Sequence, residues 1–218
     1  MDNNSFFFSP LWSGTLIETN LSFPLQYSNK NISKLNDSSF IITGYKNNAL
    51  YFQIFNLSEQ NINNLTNVIN TGIRIPNYNL GYFSSNQFLI SYPNGGNYYC
   101  TLFSINGMTL NNFTIDNYEN APFEYIKCLG YSSNGIVCLY LKNLYIVLKL
   151  FSLNAPNNAI IYNITNASLP DFNINHNNKI YLCYHIDINL YCDVIYVKNN
   201  IFNFEKINIP YKFSFHFF

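Results

Sequence analysis

Charged residues are scarce in this chain of 218 residues. Asp, Glu, Lys and Arg together make up 10% of the sequence, whereas soluble globular domains carry roughly 25%. The 11 basic and 11 acidic residues cancel, and Arg74 is the single arginine. Proteins that bind nucleic acid need a cationic surface that neutralises phosphates. The composition therefore excludes nucleic acid as an expected partner.

Motifs for catalysis and metal binding are missing as well. The sequence has no Gly-x-Ser-x-Gly nucleophile turn, no phosphate-binding Gly loop and no dinucleotide fingerprint. It has no Cys-x-x-Cys pair, and His176, His185 and His216 lack the spacing of metal ligands. We therefore predict a protein that is not an enzyme and that uses no cofactor and no metal.

A membrane-spanning segment is not predicted either. The longest apolar stretch covers residues 130–150, but Lys142, Asn143 and Lys149 interrupt it. A spanning helix needs roughly 20 apolar residues, and a Lys at its centre costs about 3 kcal/mol. Asn134-Gly135 and Lys142-Asn143 are turn signals, and Asn-Gly is typical of hairpins. The stretch is therefore predicted to form three strands of a meander.

Asparagine supplies the polarity that charged residues do not. The chain contains 40 Asn, while 48% of its residues are hydrophobic and 18% are aromatic. Asn favours turns, because its amide bonds to its own backbone and it tolerates positive φ. Here the Asn residues separate apolar stretches rich in β-branched and aromatic residues, which favour strands. This pattern predicts an all-β protein with a large core.

One unit recurs along the chain. A turn signal between two apolar strands starts at positions 47, 94, 142 and 187, so the repeat is about 44 to 48 residues long. An earlier hairpin signal precedes each of these turns, and a weaker fourth strand follows, predicted at 65–70, 110–115, 159–164 and 202–209. Prolines mark the links between units, where no ladder hydrogen bond is lost. They are Pro76, Pro122, Pro170 and Pro210.

Four short strands per unit at this period are typical of a β-propeller blade. Over essentially its whole length the chain resembles five-bladed β-propellers in turn spacing and strand pattern, without a blade signature motif. We predict a single propeller domain over 1–218, with blades at about 30–70, 78–117, 123–165 and 170–209. The fifth blade is a composite of 1–28 and 211–218, in which a C-terminal strand pairs with N-terminal strands and closes the ring.

The composition is similar to that of virion and surface proteins of crenarchaeal viruses, such as tail or nozzle components of spindle-shaped viruses. This resemblance implies a non-enzymatic assembly protein of a virion or extracellular surface that bears glycans and lacks a signal peptide. Residues 1–14 carry an acid ahead of their apolar stretch, where a signal peptide carries basic residues. The low charge predicts that the protein works as a homo-oligomer or with other structural proteins.

Two other functions stay open at the level of the sequence. A lectin-like propeller would bind carbohydrate, with up to one site per blade. A glycoside hydrolase would need two carboxylates at a set separation. Glu124 and Asp171, at the starts of first strands, come closest to that requirement.

The segments that link the units are the longest connections and are expected to share one face. Loops on a rigid scaffold often carry binding residues, and Tyr or Phe among Asn suits contact with glycans or protein. The candidate binding residues are Arg74, Tyr78, Tyr118, Phe123, Asp171 and Tyr211.

Four of the five cysteines form two pairs, and the members of each pair lie on adjacent strands on either side of a predicted turn. Cys128 and Cys138 flank the turn at 134, and Cys183 and Cys192 flank the turn at 187. Cross-strand neighbours are close enough for a disulfide, although a small buried hydrophobe is the alternative role of each. Cys100 has no evident partner.

The chain also has nine Asn-x-Ser/Thr sequons, where composition alone predicts about five. N-glycosylation is therefore expected at some of them. Besides Asn3, the candidates are Asn20, Asn31, Asn36, Asn56, Asn64, Asn112, Asn163 and Asn166.

Overall fold

The prediction of an all-β chain is confirmed. The computed structural model describes residues 27–57, 62–117, 125–143, 145–165, 167–174, 177–186, 189–198 and 201–207, which form strands and turns without a helix. No helix within these ranges is long and apolar enough to cross a membrane. The predicted composite blade of 1–28 and 211–218 lies almost wholly outside the described residues.

The described residues form seventeen strands in four antiparallel sheets. Neighbouring strands follow one another in the chain, except that β5 pairs with β3 beside β4. Sheet 1 contains β1 (Ser28–Lys34), β2 (Ser39–Lys46), β3 (Ala49–Leu57), β4 (Ile62–Asn64) and β5 (Ile69–Asn70). Sheet 2 contains β6 (Asn79–Ser84), β7 (Gln87–Asn94), β8 (Asn97–Ser104) and β9 (Thr109–Asn117). Sheet 3 contains β10 (Ile126–Ser132), β11 (Gly135–Lys142), β12 (Tyr145–Ser152) and β13 (Ala155–Thr165). Sheet 4 contains β14 (Ala167–Ile174), β15 (Ile180–Ile186), β16 (Asn189–Lys198) and β17 (Ile201–Ile207).

The second turn of every sheet has the same length. The last paired residues around it leave two residues in the loop in each case, as between Lys46 and Ala49. Asn47 and Asn48 both have positive φ, and Gly95 and Gly96 do so in sheet 2. Two-residue hairpin loops of this kind need positive φ, which Asn and Gly tolerate best. In sheet 1 the loop is the predicted dipeptide, whereas in sheets 2 and 3 the loop begins one residue later than predicted, at Gly95 and at Asn143.

The outer strand of sheet 1 departs from the prediction. Residues 65–70 were expected to form one strand, but β4 pairs with the end of β3 while β5 pairs with its beginning. Between them, the Thr66 hydroxyl accepts the Ile54 N–H at 3.0 Å, and the Thr66 carbonyl accepts the Gln53 amide at 3.0 Å. The side chain thus replaces a ladder hydrogen bond and divides the strand.

Pro170 also differs from the expected link position. It lies inside β14, and the pairing register of β14 with β15 shifts between Ser168 and Asp171. A proline cannot donate to the ladder, so within a sheet it is tolerated at an irregularity of this kind. Among the other predicted link prolines, Pro76 lies in the connection before β6, whereas Pro122 and Pro210 are outside the described residues.

Three apolar cores separate the consecutive sheets. One lies between sheets 1 and 2, a second between sheets 2 and 3, and a third between sheets 3 and 4. The second and third strands of a sheet contribute to the cores on both of its faces, so they are buried nearly end to end. This is why β7 and β11 lack the alternation of a half-exposed strand.

The first strands lie nearest one another, with β6 between β1 and β10 and with β10 beside β14. Glycine permits this approach. A Cβ on Gly81 of β6 would lie 1.9 Å from the Cys128 carbonyl oxygen of β10, and one on Gly130 would lie 2.8 Å from the Phe83 backbone. Any side chain at Gly81 would therefore force the two sheets apart.

Candidate functional site

A polar cluster joins the outer strand of sheet 2 to the middle strands of sheet 3. Asp116 lies near the end of β9. Its carboxylate accepts the Tyr140 hydroxyl at 2.8 Å and the Lys142 ammonium at 2.7 Å. Lys149 of β12 donates to the neighbouring Ile115 carbonyl at 2.6 Å. We call Asp116, Tyr140, Lys142 and Lys149 the Asp116 cluster.

Partial burial and hydrogen bonding have opposite effects on the pKa of Asp116. Burial alone would raise the pKa of the carboxyl, but hydrogen bonds from Lys142, Tyr140 and the Asn117 backbone outweigh it and lower the pKa. Burial, together with the Asp116 charge, raises the pKa of Tyr140. Burial lowers the pKa of Lys149, with the Asp116 charge opposing it and the Lys142 charge adding to it. Asp116 is therefore an anion at neutral pH and Tyr140 a neutral donor.

Two shallow clefts flank the cluster in the groove between β9 and β13. They have volumes of about 270 and 380 Å³. The first is lined by Asp116, Tyr140, Lys142, Asn143, Tyr145, Val147, Ile161 and Asn163. The second is lined by Asn112, Phe113, Thr114, Ile115, Lys149, Phe151, Pro156 and Asn157.

The cluster is arranged to hold two sheets together. Tyr140 and Lys142 of sheet 3 both bind the carboxylate of sheet 2, and Tyr98 of β8 donates to the Leu141 carbonyl at 2.7 Å. Asp193 is 6% exposed and accepts the Tyr184 hydroxyl at 2.9 Å within sheet 4. Glycoside hydrolysis needs a pair of facing carboxylates, and Asp116 has two cations and a phenol around it instead.

Three cysteines meet in the core between sheets 2 and 3. Cys128 and Cys138 form a disulfide between β10 and β11, and the Sγ atoms of these two and of the free Cys100 of β8 all lie within 4.8 Å of one another. Because two sulfurs are bonded to each other, the group offers one thiol instead of three thiolates to a metal. A second disulfide joins Cys183 to Cys192 across β15 and β16.

Of the six predicted binding residues, the structure describes Arg74, Tyr78 and Asp171. Arg74 is exposed in the connection before β6, and its carbonyl accepts the Tyr45 hydroxyl at 3.1 Å. Asp171 lies within β14, opposite Cys183, and not in a linking loop as predicted. Tyr118, Phe123 and Tyr211, and the acid Glu124, are outside the described residues.

Tyr78 requires a correction. Its side chain is 5% exposed, its hydroxyl contacts the Thr43 hydroxyl at 3.0 Å, and it donates to the Asn29 carbonyl. The ring thus has no face for a ligand, and Tyr78 instead connects sheets 1 and 2. Burial raises its pKa despite the hydrogen bonds, as expected for a phenol in a core.

One polar position recurs on the first strands, and the sequence alone did not reveal it. Each of its residues pairs with a residue of the second strand that lies three places before the last residue of that strand paired across the second turn. Asn79 donates to the Ile126 carbonyl of the next sheet at 2.8 Å, and Lys127 donates to the Phe172 carbonyl at 3.0 Å. Aligning the repeats on their second turns would have identified the set. Its members are Asn31, Asn79, Lys127 and Asp171.

The sequons divide by location. Asn64, Asn112 and Asn163 are exposed on outermost strands, and Asn36 is exposed in the turn before β2. Asn31 and Asn56 are half-buried in β1 and β3. Asn20 and Asn166 lie outside the described residues.

Comparisons with known proteins do not identify a family. No protein-family model and no curated protein matches the chain. A post-proline cleaving enzyme from Rickettsia typhi aligns with 84% of this chain at 14% identity and a TM-score of 0.42, and the chain spans 30% of that enzyme's length. An uncharacterized protein from Listeria monocytogenes aligns with 78% of this chain and 67% of its own length, at 11% identity and a TM-score of 0.36. At these TM-scores, neither similarity bears on the function.

Proposed function

We propose that the protein is a non-enzymatic structural and interaction module of a virion or another extracellular surface. The observation that carries this proposal is the use of the Asp116 cluster. Its carboxylate is occupied by Lys142 and Tyr140 of the neighbouring sheet. Chemically reactive groups are thus used to hold the scaffold, and this arrangement suits a rigid module better than a catalyst.

The scaffold that we propose is a closed ring of five four-stranded sheets. The two end sheets support it. Phe40, Ile42 and Phe55 of sheet 1 are buried, although they alternate with the residues that face sheet 2. Val194 of sheet 4 is 5% exposed and alternates with Ile195, which faces sheet 3. Each end sheet therefore has a second covered face, and the composite blade expected from 1–28 and 211–218 would supply that cover.

The proposed extracellular location has its support in the two disulfides and the low charge. Disulfides form and persist in oxidising surroundings and are rare in the cytosol. Each disulfide joins two neighbouring strands of its own sheet, one in sheet 3 and the other in sheet 4. With charged residues at 10% of the chain, charge repulsion is a weak barrier to contact between copies.

Light scattering coupled to size-exclusion chromatography tests the assembly role. A homo-oligomer well above the protomer mass of 25.3 kDa is expected, with a mass that persists on dilution into the micromolar range. A stable monomer that neither self-associates nor adheres to the matrix would overturn the proposal.

A carbohydrate-binding module is the second candidate, and the cleft beside the Asp116 cluster favours it. Tyr145 is 41% exposed there, beside Asn143, Asn163 and Asp116. An exposed aromatic ring among amide and carboxylate groups suits stacking and hydrogen bonding to a sugar. A glycan array probed with the protein and with Tyr145→Ala should show hits that the variant loses. An array without hits at high protein concentration would remove this candidate.

A further inference from the structure

Three of the sequons share a pattern that the other six lack. Each has Thr at its third position, and each has an aliphatic residue two places before the Asn. All three lie on or beside the outermost strand of a sheet. The pattern is Ile62-x-Asn64-x-Thr66 in sheet 1, Leu110-x-Asn112-x-Thr114 in sheet 2 and Ile161-x-Asn163-x-Thr165 in sheet 3.

In sheets 2 and 3, strand alternation places the members of the motif on one exposed face. In sheet 1 only Asn64 of the motif is exposed, because Ile62 packs against Phe40, Ile42 and Phe55. In β13, Ile161, Asn163 and Thr165 are exposed, while Ile164 between them is 8% exposed and packs in the core. Residues two apart in a strand share a face. The Asn163 amide therefore points to solvent beside an aliphatic side chain, Ile161, that is 55% exposed.

The same arrangement occurs on β9. Leu110, Asn112 and Thr114 are exposed, whereas Phe113 turns inward and its ring centroid lies 5.4 Å from that of Phe151. The Asn112 Oδ1 accepts the Thr101 hydroxyl at 2.9 Å. This bond uses the oxygen of the amide, whereas a glycan would be attached through the nitrogen.

Two Ser sequons provide the contrast. Asn31 is half-buried in the innermost strand β1, and its carbonyl accepts the Thr43 hydroxyl at 3.3 Å. Asn56 is half-buried at the end of β3. A sugar on either Asn would have to displace packed neighbours.

We propose that Asn64, Asn112 and Asn163 are N-glycosylation sites and that the first sugar at Asn112 and at Asn163 covers the exposed aliphatic side chain two residues before it, Leu110 and Ile161. In the reaction, a bond forms between the Asn Nδ2 and the anomeric carbon of an oligosaccharide carried on a polyprenyl phosphate. The bond from that carbon to the phosphate oxygen breaks, the lipid phosphate leaves, and the amide proton passes to a base of the transferase. No oxidant or reductant is needed.

On the outermost strands, the glycans would take the place of charged side chains in preventing contact with the edges of other sheets. Natural edge strands avoid pairing with other chains through Lys, Pro or bulges. The pairing of β9 and of β13 is irregular in places and β13 contains Pro156, but apart from Asp116 neither strand has a charged side chain. A bulky polar group on each of these strands would block edge-to-edge pairing, and contacts within an assembly would then use the turns and loops.

This proposal shares the extracellular location of the proposed function but does not need the assembly role. In the test, the chain is secreted from a host that N-glycosylates proteins, behind an added secretory leader. Folded, disulfide-bonded protein is collected, and the occupancy of each sequon is measured by peptide mass spectrometry. Failure of glycosylation in this host would leave the assembly role untouched.

Asn64, Asn112 and Asn163 are expected to be occupied in most molecules, and Asn31 and Asn56 in few. Thr114→Val and Thr165→Val should each remove the glycan at their own site only, since Val removes the hydroxyl of the sequon and keeps the β-branched side chain. At the first site the variant is Asn64→Gln, because the Thr66 hydroxyl accepts the Ile54 N–H. Empty sites at all three positions, or equal occupancy at Asn31 and Asn56 in folded protein, would overturn the proposal.

A second readout tests the contact between sugar and side chain. The glycan at Asn163 should raise the melting temperature relative to Thr165→Val by a few degrees, and Ile161→Ser should abolish most of that increase. The melting temperatures of wild type, Thr165→Val, Ile161→Ser and the double variant form a cycle. The cycle separates the contact between the sugar and Ile161 from the general effect of glycosylation. An increase of the same size with Ser at position 161 would contradict the proposed cover.

Discussion

At the scale of single residues, Asp116 shows how one acid can serve a scaffold. Its side chain is 26% exposed, yet it is bound by Lys142 and Tyr140 of the adjacent sheet. Hydrogen bonds to a charged group contribute about 1.5–3 kcal/mol when buried, and partial exposure reduces that contribution. Asp116→Asn should therefore lower the free energy of unfolding by about 1–2 kcal/mol, as measured by urea denaturation at neutral pH.

The effect of Asp116→Asn should depend on pH in a defined direction. The folded state lowers the pKa of Asp116 below its ordinary value of 3.8. The carboxylate therefore stabilises the fold fully above that value and loses its contribution as pH falls through the lower folded pKa. The difference between wild type and variant should shrink in that acidic range. Asp37→Asn is the control, because the Lys34–Asp37 pair is exposed and should change stability little. A difference that grows toward acid pH would contradict this account.

Cys100 is a second residue whose surroundings predict its chemistry. Burial raises the pKa of its thiol, and the Cys128–Cys138 disulfide lies within reach of its sulfur. Exchange needs the thiolate, so Cys100 should resist thiol reagents while the protein is folded. When the core opens at mildly alkaline pH, the Cys100 thiolate should attack one sulfur of the disulfide and release the other as a thiolate.

Disulfide mapping by mass spectrometry checks this prediction. Partly unfolded wild type should contain Cys100 paired with Cys128 or Cys138, whereas Cys100→Ser should keep only the two native pairs. Rapid labelling of Cys100 in the folded protein would contradict it, and so would pair exchange in the variant.

At the scale of strands and sheets, the close approach of β6 and β10 depends on Gly81. A methyl group there would lie 1.9 Å from the Cys128 carbonyl oxygen, which is backbone and cannot rotate away. Gly81→Ala should therefore lower the free energy of unfolding by about 3 kcal/mol, the upper end of the range for overpacking.

The matched control is Gly135→Ala on β11. Its added methyl would lie 2.8 Å from the Ser132 hydroxyl, the end of a side chain that can move. This variant should lose clearly less stability in the same thermal or urea unfolding experiment. Equal losses in the two variants would show that the β6–β10 contact has no special weight.

Local signals were sufficient to predict most strands and turns. The turn of Asn47-Asn48 uses residues that tolerate positive φ, so the dipeptide alone identifies it, whereas Asn94-Gly95 predicts the turn of sheet 2 one residue too early. The pairs Cys128 with Cys138 and Cys183 with Cys192 follow from counting residues around a turn, and the structure joins the same pairs.

The features that the sequence did not reveal depend on contacts between distant residues, or on side chains that replace a backbone carbonyl as hydrogen-bond acceptor. The divided outer strand of sheet 1 results from the Thr66 hydroxyl bonding to Ile54. The Asp116 cluster joins positions 26 residues apart through the packing of two sheets, and no local pattern encodes that packing. The sequence predicts Tyr78 at the surface because it lies in a segment that links two units, but the neighbouring sheet buries it.

At the scale of the whole molecule, we propose that the four described sheets are members of one closed ring. Three apolar cores join them in order, and the first strands lie next to one another. Sheets 1 and 4 each have buried residues on the face that lies away from the neighbouring described sheet. A fifth sheet built from both ends of the chain would cover these two faces. It would close the ring, so that no sheet has an uncovered face.

The distance between Phe7 and Phe213 tests this closure most directly. Both positions can be changed to Cys in the Cys100→Ser background, spin-labelled, and measured by pulsed dipolar spectroscopy. Because neighbouring strands lie about 5 Å apart, the account predicts one short and narrow distance distribution, set by that spacing and the two label arms. A long or broad distribution would contradict the closed ring.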